Sequence, residues 1–531
     1  MKQKILDCTL RDGGYVNDWR FGNETIKSIV SMLTNANVDI IECGFLEDKP
    51  CDATVSLFNT VAEIRQILPE NRKKSEYVAM AVYGNYSLEH LEECDGSSIT
   101  GIRITFHDYE IDEALRYCAH IKEKGYKTFF QPVGMSVYTD KQLIDLIEQV
   151  NKLEPYAFYI VDTLGLMNQK DIERLSYLLD NNLIPSIAMG FHSHNNLQLS
   201  FSDAQKFLSM NTGRTKIVDA SIYGMGRGAG NLSTELIAHY INETGESAYD
   251  VDILLKIYDQ HIRKIREHFE WGYSVVYYLA AIHKCHPNYA KFLLDLGTLP
   301  INDIGNILMS IEFRHKHLYD KDYIVSHYSE YQNHQIDDSA AYAELKPLVE
   351  GRPVLIIAPG KSISEYTEEI RHYIDIEKPY IFSVNHKSEI IVPSSIFCPN
   401  LKRYEEMVRY NQNTSPAKII ITSNIKTPGQ ADFRFNYSDL RSTNGKFIDN
   451  ATIMLLKLLT AMKPRSVALA GMDGFSITSD NYYNNDFQNI QDKQAMYELN
   501  KTVSSAISYY AENMNIIFLT PSIYVKGEFE T

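Results

Sequence analysis

Apolar runs and amphipathic stretches alternate regularly from residue 4 to about residue 226. The apolar runs are short and β-branched, which is typical of buried strands, whereas stretches such as Asn23–Thr34 and Asp140–Leu153 have the apolar spacing of helices. The pattern predicts eight strands: Lys4–Thr9, Val38–Phe45, Glu76–Tyr83, Gly101–Phe106, Lys127–Val133, Ala157–Asp162, Ser186–His192 and Ile217–Ile222. Eight β–α units at this spacing predict a (β/α)8 or TIM barrel, a fold of the α/β class.

The rest of the chain predicts a second domain. Its pattern is helical over 236–318, and a polar stretch at 319–348 is the best candidate for a linker. A new α/β pattern then begins, with buried-strand runs at Tyr380–Val384, Ala417–Thr422, Ser466–Ala470 and Ile516–Leu519. We therefore predict a barrel over 1–235, a helical extension over 236–318, a linker over 319–348 and a Rossmann-like α/β domain over 349–531.

Composition and charge exclude several classes of partner, above all nucleic acid and membranes. The formal charge of −16 would repel a phosphate backbone, so we expect no nucleic-acid partner. Seven cysteines without a CxxC pair support neither a disulfide framework nor a zinc ribbon. No apolar run approaches the ~20 residues of a membrane span, and the first residues leave no room for a signal peptide. We therefore expect a cytoplasmic protein with no membrane partner.

Polar residues follow the predicted barrel strands, where TIM barrels carry their active sites. His192 and His194 are separated by one residue, so on an extended strand both imidazoles would lie on one face and could converge on one ion. Asp12 or Asp7 of the first strand could supply an anionic third ligand. The alternative is that these histidines are ordinary polar loop residues, which is the commoner case for an isolated pair.

Two further features have alternative interpretations. Arg11, beside Asp12, could stabilise an enolate oxygen with Glu42 orienting its guanidinium, or it could form an ordinary surface ion pair. The glycine-rich run Gly224–Asn231 could bind a nucleotide, bind a phosphate or act as a flexible closing loop. It follows a late strand, unlike a Rossmann fingerprint, so we favour a loop that approaches the metal and positions Asn231.

Four ordered motifs over about 230 residues carry a resemblance to a known superfamily: Asp7–Gly13, Glu42–Phe45, Phe191–Asn196 and Gly226–Asn231. Together they resemble the DRE-TIM metallolyases, which include the 4-hydroxy-2-oxovalerate aldolases with their HMGL-like barrel, the HMG-CoA lyases and the isopropylmalate synthases. The resemblance implies a divalent metal, with Mn²⁺ or Mg²⁺ favoured and Zn²⁺ as the alternative. Its implied ligands are Asp12, His192 and His194, with Asn231 as a further ligand.

The same resemblance implies catalytic roles. Arg11 would stabilise the enolate, and Glu42 would orient the guanidinium of Arg11. The segment Trp271–Tyr278 is similar to the helical extension of the 4-hydroxy-2-oxovalerate aldolases, in which a tyrosine reaches back to the active site. Tyr277 matches that position best and Tyr273 is close, although either could instead pack between helices.

The sequence departs from its relatives at two positions. HMG-CoA lyases carry a catalytic cysteine in the glycine loop, whereas this chain has Arg227 and Gly228 there. The aldolases carry an acid/base histidine shortly after the Arg-Asp-Gly motif, whereas this chain has Tyr15. Because a tyrosine ionises near pH ~10, Tyr15 as a base would need a strongly lowered pKa. Proton transfer could otherwise run through water on the metal, His107 or Tyr15 as an acid.

The function that follows is an aldolase or lyase that makes or breaks a carbon–carbon bond between a pyruvate-type enolate and an aldehyde. Its partners would be a 2-keto acid and an aldehyde, and we also expect a homo-oligomer. One alternative is a Claisen-type acyltransferase that uses acyl-CoA. The other is a non-catalytic barrel beside a C-terminal domain that binds a nucleotide sugar.

A phosphate-binding turn is a candidate feature of the second domain. Ala358–Ser362 predicts a strand, a tight turn and a helix that could hold a phosphate, but a Walker motif would require glycine at Leu355. The domain resembles the Rossmann-like domains of bacterial sialyltransferase-like and related surface-glycan proteins. This resemblance implies a nucleotide-sugar or phosphorylated-sugar partner and a role in keto-sugar or surface-glycan metabolism. A purely structural or oligomerising domain is the alternative.

Overall fold

The chain divides into two compact units, Met1–Pro287 and Asn288–Thr531. The structure, a computed structural model, describes residues 2–50, 52–135, 138–244, 248–316, 319–410, 417–426, 431–442, 449–476, 481–483 and 493–525. The boundary at Pro287 falls within the predicted helical extension, 236–318, because the helical pattern of the sequence runs on across it without a break. Over the described residues, no helix combines the length and the apolar composition that a membrane span requires.

The first unit is a closed parallel barrel, which confirms the TIM-barrel prediction. Its strands, and one short extra strand (β3) on the rim of β2, are β1 Gln3–Asp7, β2 Ile40–Leu46, β3 Leu57–Phe58, β4 Glu76–Val82, β5 Gly101–Phe106, β6 Lys127–Pro132, β7 Ala157–Asp162, β8 Ala188–Ser193 and β9 Lys216–Ala220. Closure comes from β1, where Leu6 pairs with Ile40 of β2 on one side and with Asp219 of β9 on the other. The eight predicted strands differ from the observed ones only at their ends, and β3 is an addition that the sequence does not predict.

Helices follow most of these strands and cover the outside of the barrel. They are α1 Asn23–Asn35, α2 Val61–Arg65, α3 Ile111–Glu123, α4 Asp140–Leu153, α5 Gln169–Asn182, α6 Ser200–Ser209, α7 Thr234–Thr244, α8 Val251–Ile257, α9 Arg263–Arg266 and α10 Val275–Ile282. Local signals begin them where expected: Thr139, for example, caps α4 in a capping box with Gln142. Their apolar faces and the outward side chains of the strands form one large core.

The barrel interior has its own small apolar core, which includes Leu6, Ile40, Phe129 and Ile217. Side chains alternate along a strand, so residues two positions from these also face inward. Glu42 and Asp219 lie two positions after Ile40 and Ile217, His192 lies four positions after Ala188 of the same core, and Arg103 is paired in register with Phe129. All four of these polar or charged residues are almost completely buried. The interior is therefore apolar in one layer and strongly polar in another, and buried charges of this kind require partners.

The second unit is an open, fully parallel α/β sheet, as the sequence predicts. Its strands are β10 Pro353–Ile357, β11 Tyr380–Val384, β12 Ser395–Cys398, β13 Lys418–Thr422, β14 Phe433–Phe435, β15 Ser466–Ala470 and β16 Ile516–Phe518, in the order β14-β13-β12-β11-β10-β15-β16. The sequence does not predict β12 and β14, which are only four and three residues long. Apolar residues of β10 and β15 pack against the neighbouring helices.

The helices of the second unit include two in the segment expected to be a linker, 319–348. The helices are α11 Pro287–Leu296, α12 Ile301–Ser310, α13 Phe313–Lys316, α14 Lys321–Gln332, α15 Ser339–Val349, α16 Ser362–Glu365, α17 Thr367–Glu377, α18 Leu401–Tyr410, α19 Tyr437–Leu440, α20 Ala451–Met462 and α21 Lys493–Ala511. Tyr328 of α14 is buried and hydrogen-bonds Thr298 and Asp449. The segment looks polar in sequence because its polar side chains form a buried network.

Candidate metal centre

Three side chains from two strand ends converge at one end of the barrel. Asp12 lies in a tight turn after β1, in which the carbonyl of Cys8 accepts hydrogen bonds from the backbone N–H groups of Arg11 and Asp12. His192 lies near the end of β8, and His194 follows that strand directly. One ligand atom of each of Asp12, His192 and His194 lies within 4.8 Å of the others, close enough to bind one ion. The structure thus brings together the three residues that the sequence singles out. Asp7, the alternative anionic ligand, instead accepts a hydrogen bond from the hydroxyl of Thr234.

Asn231 completes the group from the glycine-rich loop. Its amide nitrogen donates to Asp12 Oδ2 at 2.6 Å and to the carbonyl of Met225 at 3.2 Å. Its Oδ1 atom is buried and has no hydrogen-bond partner among the described residues. A buried oxygen without a hydrogen-bond partner costs folding free energy unless a donor or a metal ion binds it. A set of carboxylate, two imidazoles and an amide oxygen suits a divalent ion, so these residues fit a metal.

The electrostatics of the cluster also suit a cation. Burial raises the pKa of Asp12, but Arg11, His194 and His192 outweigh this and hold it well below its usual range. Burial lowers the pKa of His194 to about 4, although Asp12 opposes the shift. At neutral pH the site therefore presents an ionised carboxylate and at least one neutral imidazole, the protonation states that metal ligands need.

Arg11 is fixed beside the cluster by two carboxylates. Its Nε donates to Glu42 Oε2 at 2.9 Å and its Nη1 donates to Asp12 Oδ1 at 2.6 Å. Burial lowers the pKa of Arg11, but Glu42 and Asp12 raise it to well above its usual value, so the guanidinium stays charged. Its Nη2 is buried without a hydrogen-bond partner among the described residues. One donor of a rigidly held cation is thus available beside the candidate ligands.

Two residues of this network lie outside the sequence-based predictions, Asp219 and Arg103. Asp219 Oδ2 lies 3.0 Å from His192 Nδ1 and also pairs with Arg103. Arg103 Nη1 donates to Glu42 Oε2 at 2.6 Å. A carboxylate on Nδ1 fixes the ring so that Nε2 is left for a metal. The sequence gives one indication of them: Arg103 is the one charged residue at an inward position of β5, and Asp219 is the one at an inward position of β9.

Tyr15 lies at the mouth of the site, packed edge-on against Trp19 and Phe45 with ring centroids 4.8 and 6.1 Å away. The residue as a whole is 42% exposed. Burial of the hydroxyl end and the nearby Asp12 carboxylate raise the pKa of Tyr15 above its usual value of 10.0. The environment of Tyr15 therefore does not provide the lowered pKa that a base would need, and it favours the neutral phenol.

The glycine loop needs its glycines because it passes close to other groups. A methyl group on Gly226 would lie 2.2 Å from Asn231 Nδ2 and 2.9 Å from Asp12 Oδ2. On Gly228, which has φ +70°, it would lie 3.5 Å from the ring of Tyr277. Tyr277 of α10 is thus next to this loop, whereas the side chain of Tyr273 is 60% exposed. His107, the other candidate for proton transfer, stacks on Tyr109 with ring centroids 5.3 Å apart.

Curated relatives and a family model match the part of the chain that carries this site. A 4-hydroxy-2-oxovalerate aldolase of Thermomicrobium roseum is 28% identical over 307 residues, which are 55% of this chain and 83% of the relative. A second aldolase of that name, from Comamonas testosteroni, is 25% identical over 316 residues, which are 56% of this chain and 89% of the relative. The solved N-terminal domain of a candidate aldolase from Bacteroides vulgatus is 27% identical, with a TM-score of 0.49, over 56% of this chain and 98% of that domain.

The family model described as HMGL-like matches residues 2–267, about half of the chain. This range includes β1 to β9, the three clustered ligands and the glycine loop with Asn231. The chain therefore belongs to the HMGL-like family, and it is an aldolase-type carbon–carbon lyase of the DRE-TIM kind.

Proposed function

We propose that the first unit catalyses aldol cleavage or addition between a pyruvate-type 2-keto acid and an aldehyde. The observation that carries this proposal is the unpaired, buried Nη2 of Arg11 beside the clustered ligands. A charged donor held by Glu42 and Asp12 is placed to meet negative charge that develops on an enolate oxygen. The names of the curated relatives support the same reaction class.

Asp12, His192, His194 and Asn231 would hold a divalent ion, Mn²⁺ or Mg²⁺ by preference, which when bound would polarise the ketone of the 2-keto acid. The protein's own part is positioning. Glu42 fixes Arg11, while Asp219 fixes His192. Because these contacts exist before substrate binds, little reorganisation is needed when the enolate forms.

Tyr15 is suited to the proton transfer at the aldehyde oxygen. Its pKa is raised, so at neutral pH it is a phenol that can protonate the alkoxide formed by addition. In the cleavage direction the proton of the substrate hydroxyl would have to leave to another base, because a phenol with a raised pKa does not accept it. Tyr277, next to the glycine loop, would help to close the site around the substrate.

The proposal is tested by pyruvate release from 4-hydroxy-2-oxovalerate, with metal analysis of the purified protein. We expect a bound divalent ion and metal-dependent release, and both should be lost in Asp12→Ala and His192→Ala. Asp140→Ala, at an exposed surface pair with Arg174, is the matched control and should behave as wild type. Pyruvate release by metal-free protein would contradict the proposal. Thiol release from acyl-CoA would instead indicate a Claisen-type acyltransferase, and a folded protein inactive in both assays would indicate a non-catalytic barrel.

We propose a separate role for the second unit, the binding of a nucleotide sugar or a phosphorylated sugar. The strand order changes direction at β10, and open parallel sheets bind ligands beyond the carboxyl ends of their strands at such a place. A cavity of about 140 Å³ is lined there by residues that follow β10, β11 and β15, including Gly360, Asn385 and Met472. It shares Asp473 and Phe475 with a second cavity of about 1020 Å³.

Two features of this cavity suit a polar ligand with a phosphate. Asn385 Oδ1 is buried without a hydrogen-bond partner among the described residues. The first turn of α20 lines the same cavity, and the positive end of a helix dipole favours phosphate. A sugar ligand here would place the aldolase in keto-sugar or surface-glycan metabolism.

Calorimetric titration of the full chain with UDP-glucose and with glucose 1-phosphate tests this second proposal. We expect binding of at least one of them, weakened by Asn385→Ala. Asn513→Ala, an exposed change before the amino end of β16, should leave binding unchanged. No heat from either ligand would indicate a purely structural unit, and equal affinity in Asn385→Ala would show that the ligand does not bind at this cavity.

A further inference from the structure

Arg227 occupies an unusual place in the glycine loop, between Gly226 and Gly228. Its side chain is exposed, and its guanidinium carbon lies 5.7 Å from the centre of the Tyr15 ring. Its Nη2 lies 2.9 Å from His286 Nε2, in the same unit. A cation–π contact and a hydrogen bond therefore hold an arginine at the mouth of the site, against the candidate proton donor.

No carboxylate in the part of the chain that the structure describes neutralises the charge of Arg227. Among the described residues, its polar partner is the imidazole of His286, and no ion pair joins it to an acid. The other two arginines of the site differ, because Arg11 pairs with Glu42 and Asp12, and Arg103 pairs with Glu42 and Asp219. Burial and the charge of Arg227 lower the pKa of His286 to about 4, so this ring is neutral and accepts the arginine's hydrogen bond.

Arg227 also belongs to the same local structure as the candidate ligands. It lies four residues before Asn231, and Gly226 beside it packs against Asp12 and Asn231. The candidate metal ligands and Arg11 already account for the charge of a 2-keto acid. Arg227, whose charge no carboxylate of the described residues offsets, is left at the mouth for the other substrate.

We propose that Arg227 recognises an anionic group, a carboxylate or a phosphate, on the aldehyde substrate. This inference rests on the proposed aldolase function. The planar guanidinium offers paired N–H donors that match both groups, and Tyr15 and His286 hold it in place beforehand. Cleavage of 4-hydroxy-2-oxovalerate would release acetaldehyde, which has no charge to bind. We therefore expect 4-hydroxy-2-oxovalerate, the substrate in the relatives' name, to be a poorer substrate of this chain than one that yields an anionic aldehyde.

Two matched pairs of aldehydes test the proposal with pyruvate as the donor. Succinic semialdehyde is compared with butanal, and glyceraldehyde 3-phosphate with glyceraldehyde, by the ratio of kcat/KM within each pair. We expect wild type to prefer the anionic member of one pair. Arg227→Gln should lower kcat/KM for that member by roughly 10- to 100-fold, and Arg227→Lys should lose less. Arg116→Gln, an exposed arginine of α3 paired with Glu113, should keep the wild-type ratio.

The pair that responds identifies the group as carboxylate or phosphate. The inference is overturned if the anionic-to-neutral ratio in Arg227→Gln equals that of wild type in both pairs. It is also overturned if wild type turns over only the neutral aldehydes, or none of the four, while it exchanges the methyl protons of pyruvate with solvent. If wild type shows no such exchange, the proposed aldolase function itself fails.

Discussion

At the level of single residues, the sequence predicts the candidate metal ligands but not the buried charges that surround them. Asp12, His192 and His194 stand out because their spacing and their strand-end positions are visible in the sequence, and the structure brings them within 4.8 Å. Asp219 and Arg103 do not stand out, because a lone charge in an apolar strand gives no indication of its partner. Only barrel closure, with β9 beside β1, shows what these buried charges contact.

Asp219 should control metal affinity through His192. In Asp219→Asn the ring loses its carboxylate partner, and we expect the affinity for Mn²⁺ to fall by about 10- to 100-fold. Isothermal titration of the folded variant measures the change. Asp180→Asn, which removes the partner of Arg214, is the control. Unchanged affinity in a folded Asp219→Asn would show that this contact is only structural.

Tyr15 should act as a proton donor whose loss slows turnover. Tyr15→Phe keeps the ring that packs on Trp19 and removes the hydroxyl, so we expect kcat to fall by about 10²- to 10⁴-fold with little change in thermal stability. Steady-state kinetics with the preferred aldehyde provide the test. A kcat within twofold of wild type would assign the proton transfer to another group.

At the scale of elements, the barrel strands were predictable and several other segments were not. Apolar runs indicate the eight barrel strands. Neither β12, which lies between Pro393 and Pro399, nor β14, which contains Arg434, forms a continuous apolar run of that kind. Helices α14 and α15 look like a linker in sequence because their buried face is polar. Gln332 of α14, for example, donates to the hydroxyl of Tyr437 at 2.9 Å.

The glycine loop should tolerate no side chain at Gly226. The methyl group of Gly226→Ala would lie 2.2 Å from Asn231 Nδ2, so the loop must move away from Asp12. We expect this variant to fold and to lose metal binding. Gly213→Ala adds the same methyl group where no atom lies within 4 Å, and it should bind metal as wild type does. Titration of both variants with Mn²⁺ measures the metal affinity. Wild-type affinity in Gly226→Ala would show that metal binding does not require the close approach of this loop to Asp12.

Helix α14 should contribute to the stability of the second unit. Tyr328→Phe removes the hydroxyl that bonds Asp449, a buried carboxyl whose pKa is raised by burial. We expect the free energy of opening at β10 to fall by about 1–3 kcal/mol, as measured by native-state hydrogen exchange. Tyr509→Phe, at a side chain that is 63% exposed, is the control. Equal exchange rates in the two variants would mean that α14 is a linker after all.

The whole molecule carries two α/β units, each with polar groups beyond the carboxyl ends of parallel strands. The sequence predicts both, since each has its own strand pattern, but it does not predict a boundary at Pro287. The family match covers residues 2–267, so the aldolase account concerns the first unit. The role of the second unit depends on its own cavity and stays a separate proposal.

The central claim is that the first unit generates a pyruvate-type enolate at the candidate metal centre. Proton NMR of pyruvate in D₂O tests it directly, because exchange of the methyl protons requires enolisation and no aldehyde. We predict that the metal-loaded protein catalyses exchange, that chelation stops it and that Asp12→Ala and Arg11→Lys reduce it by at least 100-fold. Exchange that persists without metal, or no exchange in the metal-loaded wild type, would contradict the account.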